Sequence, residues 1–214
     1  MSQYRKTADL PDTLPVFPLP GALLFPRWEL PLNIFEPRYL NMFDDAMRGH
    51  RLIGMVQSMG GTRERPEIAR VGCAGRVTSY AETDDGRYLV TLTGICRFAV
   101  KQELAATTPY RQVTPRWDAF AADLYPASED GLPDRSELIL SLRTYAAMHG
   151  LQADWSAVED APMETLVHAL AAGCPFPAPE KQALLEAVSL ADRARTLIAL
   201  MAMSASGGDD GPVQ

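Results

Sequence analysis

LPVFPLPGALLFPRWELPLNIFEPRYLNMFDDAM, residues 14–47, decides how the rest of the chain reads. It holds two short apolar segments broken by prolines: Val16, Phe17, Pro18 and Leu19, then residues 28–35. Pro20, Gly21 and Ala22 between them signal a turn. Proline cannot donate to a strand ladder, so both segments read as edge or bulged strands and neither as a central one. At Glu36 the pattern changes. Pro37 suits the first turn of a helix, where its missing N–H costs nothing, and Tyr39, Leu40, Phe43 and Met47 recur at helical spacing. Strand, turn, strand and helix thus follow within one proline-rich and aromatic-rich element.

Working outward, residues 1–12 are polar and predict a loose arm. Downstream, residues 52–57 (LIGMVQ) predict a strand, and residues 58–66, with Gly60 and Gly61, a loop. Residues 68–80 predict another strand. Its internal Gly72 and Gly75 mark a bulge or a close backbone approach. Asp84, Asp85 and Gly86 signal a hairpin. Residues 87–93 alternate as a strand, Gly94 breaks the run, residues 96–100 resume it, and residues 110–117 add one more. Six or seven short strands with one early helix predict a small, mostly antiparallel β-barrel over residues 1–118.

Beyond it the character changes. Residues 1–118 carry a net charge of +2 and residues 119–214 a net charge of −9, within a chain of −7. Residues 119–133 read as an acidic linker with a little helix at its start. Residues 134–203 read as a helical bundle of four helices: the first capped by Asp134 and Glu137 and stopped by Gly150, the second opened by Pro162, the third by Pro179 with Leu184, Leu185 and Val188 inward, and the fourth capped by Ser189 and Asp192 with Leu197, Ile198 and Met201 buried. The α+β class follows: barrel first, helices after. Residues 204–214 read as a disordered tail.

Composition narrows the functions. The acidic C-terminal half would repel phosphates and argues against nucleic acid there. Cys73, Cys96 and Cys174 are odd in number and far apart, which points to reduced buried thiols in a cytoplasmic protein. The N-terminus has no apolar signal core, and no run is long and apolar enough to span a bilayer. None of the three lysines follows a glycine, so no phosphate-cradling Gly-Lys-[Ser/Thr] step exists, and neither a GxGxxG nor a GxSxG motif occurs. His50, His149 and His168 are scattered and read as helix-surface or capping residues, not as metal ligands. No catalytic, cofactor or metal residues are assigned.

What remains is a surface. Among Phe17, Leu24, Phe25, Trp28, Phe35 and Tyr39 most belong to a core. One or two in the link of residues 20–26 are expected at the surface, because so short a link cannot hide every side chain. Exposed apolar groups rimmed by charge bind partners. Glu36 and Arg38 at the strand-to-helix junction either anchor the helix start or rim such a surface. The candidate binding set is Leu24, Phe25, Trp28, Phe35, Glu36, Arg38 and Tyr39.

The segments LPVFPLPGALLFP, LPLNIFEPRY, IGMVQ, VGCAGRVTSY and DDGRYLVTLTGICRF, in this order, with EKQALLEAVSLADRARTLIALM near the end, resemble the N-terminal substrate-binding domain of Lon-type ATP-dependent proteases. The likeness spans about residues 13–202. It implies a PUA-like barrel followed by helices, and recognition of protein or unfolded peptide segments without catalysis or cofactor. Family members continue into ATPase and Ser–Lys protease modules, and this chain stops where those begin, so it looks like a stand-alone relative. It would select unfolded or flagged proteins, alone or with a separate ATP-dependent protease. Two other readings stand beside this one: RNA binding, as in other PUA-like barrels, through Arg63, Arg65, Arg70 and Arg76, and a small-molecule enzyme with a pocket between barrel and bundle.

Overall fold

A computed structural model describes residues 4–62 and 66–206. Arg63, Arg65 and residues 207–214 of the expected tail lie outside them. The chain divides into two compact units: residues 4–126 with Pro177–Leu185, and Ala127–Phe176 with residues 186–206.

The first unit is built on six strands: β1 (Leu14–Pro18), β2 (Glu29–Ile34), β3 (Leu52–Gly61), β4 (Pro66–Glu82), β5 (Tyr88–Glu103) and β6 (Arg111–Arg116). Their order is β2-β5-β4-β3-β1-β6, and a further β5–β6 pairing closes the sheet into a ring. All pairs are antiparallel except β1 with β3. Closure is possible because β5 is long enough to serve two neighbours. Residues 88–93 pair with β2, and residues 99–103 pair with β6.

Two expectations about this sheet need correction. β1 is not an edge strand, for it pairs on both sides. Leu14, Pro15 and Val16 face β6, and Val16, Phe17 and Pro18 face β3. Only Val16 pairs on both sides, so each proline sits where the strand has one neighbour, and neither breaks a two-sided ladder. β2 does behave as an edge, with pairing to β5 alone. The second correction concerns Gly94, which does not end a strand. β5 runs through it with a register shift, Gly75 opposite Gly94 and Ala74 opposite Cys96. The reason is steric. A Cβ on Gly94 would lie 1.9 Å from the Phe25 carbonyl oxygen, and one on Gly75 would lie 2.6 Å from Leu24 Cδ2. The paired glycines open the sheet face to residues 24 and 25, the close approach that glycine in a strand signals.

The core of this unit gathers Leu14, Val16, Leu52, Val56, Phe98 and Val113, all nearly inaccessible. Tyr4 and Leu10 join it, so the described part of the N-terminal arm is not loose. A 3-10 turn at Thr7–Asp9 links them, and Trp117 Nε1 donates to the Pro11 carbonyl at 3.2 Å. Helix α1 (Pro37–Arg48) buries Tyr39, Met42, Phe43 and Ala46.

The remaining helices are α2 (Arg135–His149), α3 (Trp155–Asp160), α4 (Met163–Gly173), α5 (Ala178–Glu186) and α6 (Leu190–Ser206). α3, which the sequence reading passed over, is capped by Asp154, whose carboxylate accepts from the Ala157 N–H at 3.1 Å. α5 belongs almost wholly to the first unit, where Gln182 Nε2 donates to the Val71 carbonyl and Lys181 Nζ to the Gly21 carbonyl, both at 3.0 Å. Val188, beyond its end, is 77% exposed and not inward. α2, α4 and α6 supply the second core, including Leu138, Tyr145, Val167 and Leu197. His168 is no surface residue. It is buried, with Nε2 3.1 Å from Arg193 Nη1. α6 continues through Ser206, three residues into the expected tail.

Candidate functional site

Pro18 at the end of β1, Pro31 within β2 and Arg38 at the start of α1 line one space. That arrangement leaves a cleft of about 590 Å³ in the first unit. One wall is the end of β1, with Phe17 and Pro18. A second is the free side of β2, with Pro31 and Asn33. The β3–β4 hairpin, with Gly60 and Gly61, forms a third. Phe35, Glu36, Arg38 and Tyr39 complete the lining.

The junction of β2 and α1 sets the chemistry. Pro37 occupies the first helical position, and the Glu36 carbonyl accepts from the N–H groups of Tyr39 and Leu40 at 2.9 and 3.0 Å. The Glu36 side chain does not cap the helix; it accepts from Arg38 Nε at 3.0 Å, with Nη2 at 2.9 Å. The Arg38 guanidinium lies 4.5 Å over the Tyr39 ring, and that ring packs 4.2 Å from Phe17. Burial raises the Tyr39 pKa above its ordinary value, with Arg38 opposing the shift, so the phenol is neutral at physiological pH. Phe35 is 57% exposed at the rim. The result is a cleft with an aromatic base and one hydrogen-bonded ion pair at its edge. It presents apolar surface and a few polar groups, the kind of surface on which peptide side chains lodge.

Of the seven residues proposed from sequence, four meet here: Phe35, Glu36, Arg38 and Tyr39. Leu24 and Phe25 do not. They are 1% and 0% exposed, held under Gly75 and Gly94. The expectation that the link of residues 20–26 exposes apolar side chains fails for the same reason, since Leu23 too is buried. Trp28 is half-buried outside the cleft lining. Phe17, Pro31 and the hairpin glycines were missed as cleft residues. The Gly60-Gly61 pair was the one local sign that residues 58–66 do more than connect.

Among the described residues, no group of three His, Cys, Asp or Glu side chains could hold a metal ion, and no helix is long and apolar enough to cross a membrane.

A ring-closed, mostly antiparallel sheet with an aromatic side cleft, followed in the chain by a helical unit, is the architecture of a binding domain. The chain belongs to the family described as the ATP-dependent protease La (LON) substrate-binding domain, whose model matches residues 13–203. It is 27% identical over 203 residues to Lon protease 2 of Myxococcus xanthus, covering 90% of this chain and 24% of that protein. It is 30% identical over 108 residues to a Lon protease of Desulfosudis oleivorans, covering 49% and 13%. The chain therefore spans a quarter or less of the length of these relatives. Among solved structures, a Lon N-terminal domain protein from Xanthomonas campestris superposes with a TM-score of 0.61 at 22% identity, covering 87% of this chain and 97% of that one. The N-terminal domain of a Mycobacterium avium complex Lon protease gives 0.60 at 14% identity, covering 89% and 98%.

Proposed function

We propose that this chain is a non-catalytic module that captures extended or unfolded protein segments in the cleft between β1, β2 and α1, and presents them to an ATP-dependent protease. The observation that carries the reading is the exposed Phe35 beside a neutral, aromatic-based cleft on the free side of an edge strand. Pro31 removes one donor from that edge, so side-chain capture supplies more of the contact than a continuous strand ladder does. An apolar or aromatic side chain of the captured segment packs against Phe17 and Tyr39, and Phe35 folds over it. The family supports this reading, because its description names substrate binding.

The test is binding of a fluorescent unfolded casein to the purified chain and to a Phe35→Ala variant, together with degradation of that casein by a Lon-type protease with and without the chain. Saturable binding that weakens about tenfold in the variant is expected, as for loss of a central aromatic anchor. No saturable binding, or equal binding by both, overturns the proposal.

A further inference from the structure

We propose that a second cleft of the first unit, sharing no residue with the one at Phe35, binds a small organic anion: a carboxylate or phosphate monoester carrying an apolar body. The cleft has a volume of about 650 Å³, and Arg27, Arg51 and Arg76 line it. Arg51, Arg76 and Tyr4 also line a polar recess that includes His50. In a chain of net charge −7, this is a local concentration of positive charge.

The backbone supplies the decisive argument. Arg27 and Arg51 have φ of +64° and +58°, and among the described residues they are the only non-glycines with positive φ. Six glycines take such angles elsewhere, including Gly150 at the end of α2, where the turn needs nothing from a side chain. A left-handed backbone is costly for any residue with a Cβ, so glycine would be the more stable choice at residues 27 and 51. Both positions instead carry arginine, and both arginines line one cleft. Strain held at a site in this way is retained for what the side chain does.

The two backbones are stationed by the sheet and by α1. The Arg27 N–H donates to the Gly94 carbonyl at 2.8 Å, and the Gly94 N–H donates to the Trp28 carbonyl at 2.9 Å. The Arg51 N–H donates to the Ala46 carbonyl and the Val77 N–H to the Arg51 carbonyl, each at 2.9 Å. Arg27 Nη1 donates to the Asp123 carbonyl at 2.6 Å, which orients the guanidinium at the cleft. Asp123 is the carboxylate of the cleft lining, and Asp9 that of the adjoining recess. Asp123 receives Arg97 on both oxygens, and Asp9 Oδ2 receives the N–H groups of Arg5 and Lys6.

The cleft wall sets the rest of the ligand. Val77, Ile95 and Leu124 give it apolar surface, and the Thr78 and Thr93 hydroxyls, 2.9 Å apart, add one polar step. Guanidinium forks match carboxylate and phosphate geometry, and the apolar wall takes the body behind the head group.

Phenyl phosphate and benzoate, titrated into the isotope-labelled full chain and followed by amide chemical shifts, test the site, with inorganic phosphate and benzyl alcohol as controls. Saturable shifts are expected at residues 76–78 and 93–95, with at least one aromatic anion binding about tenfold tighter than either control, since head group and body both contribute. The stronger of the two anions identifies the head group. Arg27→Gly and Arg51→Gly should weaken that binding about tenfold, while the melting midpoint holds or rises because backbone strain is relieved. Absence of saturable shifts with both anions, binding by both glycine variants within about twofold of the parent, or a fall in both melting midpoints would overturn the assignment. Casein binding at the Phe35 cleft is a separate readout and should not change in these variants.

Discussion

Arg97 and Asp123 form a bidentate pair inside the first unit. Nε and Nη2 of the arginine donate to the two carboxylate oxygens at 2.8 and 2.9 Å, and the side chains are 4% and 9% exposed. The Arg97 backbone N–H also donates to this carboxylate, and Nη1 donates to the Leu185 carbonyl at 2.9 Å. The guanidinium lies 4.5 Å over the Phe120 ring. One buried arginine thereby ties β5 to the 3-10 segment Asp118–Leu124 and to α5. Removing a single partner strands the other charge in the core, so Asp123→Ala should destabilise the protein by roughly 3–5 kcal/mol in urea unfolding. A paired Arg97→Met, Asp123→Leu variant should recover much of that loss. A single-variant loss under about 1 kcal/mol would show that the pair is not buried as described.

Gly94 and Gly86 separate two ways in which glycine is needed. Gly86 has φ +76° with open space around it, so Gly86→Ala should cost about 1 kcal/mol of backbone strain. Gly94→Ala drives a methyl into the Phe25 carbonyl, a backbone atom that cannot swing aside. It should cost about 3 kcal/mol or more, or prevent folding. Equal denaturation midpoints for the two variants would contradict the close approach at Gly94.

Tyr110 donates its hydroxyl to Asp45 Oδ2 at 2.8 Å. Burial first, and the Asp45 carboxylate second, push its pKa from about 10 up to about 12. Above pH 10 the unfolded chain loses this proton while the folded chain keeps it. The contribution is therefore fully present below pH 10 and is lost as pH rises toward 12. Stability measured between pH 9 and 12 should fall less steeply in Tyr110→Phe than in the parent, and identical slopes would refute the assignment.

All three cysteines are buried, and burial raises the Cys96 pKa to about 12, with Asp123 adding to the shift. A thiolate is the reactive form, so the native protein should show below about one-tenth of the iodoacetamide labelling of the denatured chain over an hour at pH 8. Rapid native labelling, mapped by mass spectrometry, would place a thiol at the surface.

The elements legible in the sequence were those with a local signature. The helix at Pro37, the Asp84-Asp85-Gly86 turn and the Gly150 stop each announce themselves within a few residues, and each stands where it was expected. The Ser189–Asp192 cap forms as read, with the Asp192 N–H donating to Ser189 Oγ at 3.0 Å. What could not be read depends on distant partners. Whether β1 lies at an edge is decided by β6, almost a hundred residues away. Whether α5 belongs with the helices or the sheet is decided by Val71 and Gly21. Arg27, Arg51 and Arg76 are too far apart in sequence to suggest a cluster, and positive φ leaves no mark when the residue is not glycine.

The same limit explains why only some of the residues expected at a surface line the cleft, and it yields a prediction that separates the two groups. Leu24 and Phe35 looked alike in sequence, as apolar residues flanking a proline-kinked strand, yet one lies under Gly75 and the other at a cleft rim. Leu24→Ala removes a buried side chain beside rigid backbone that cannot collapse into the gap, and should cost about 2–5 kcal/mol in urea unfolding. Phe35→Ala should change stability by less than about 0.5 kcal/mol, because a largely exposed side chain gains little from burial. Casein binding should show the opposite order, with loss in Phe35→Ala and retention in Leu24→Ala at temperatures where that variant stays folded. If Leu24→Ala proves as stable as the parent, or Phe35→Ala as unstable as Leu24→Ala, the division of this segment into core and cleft is wrong.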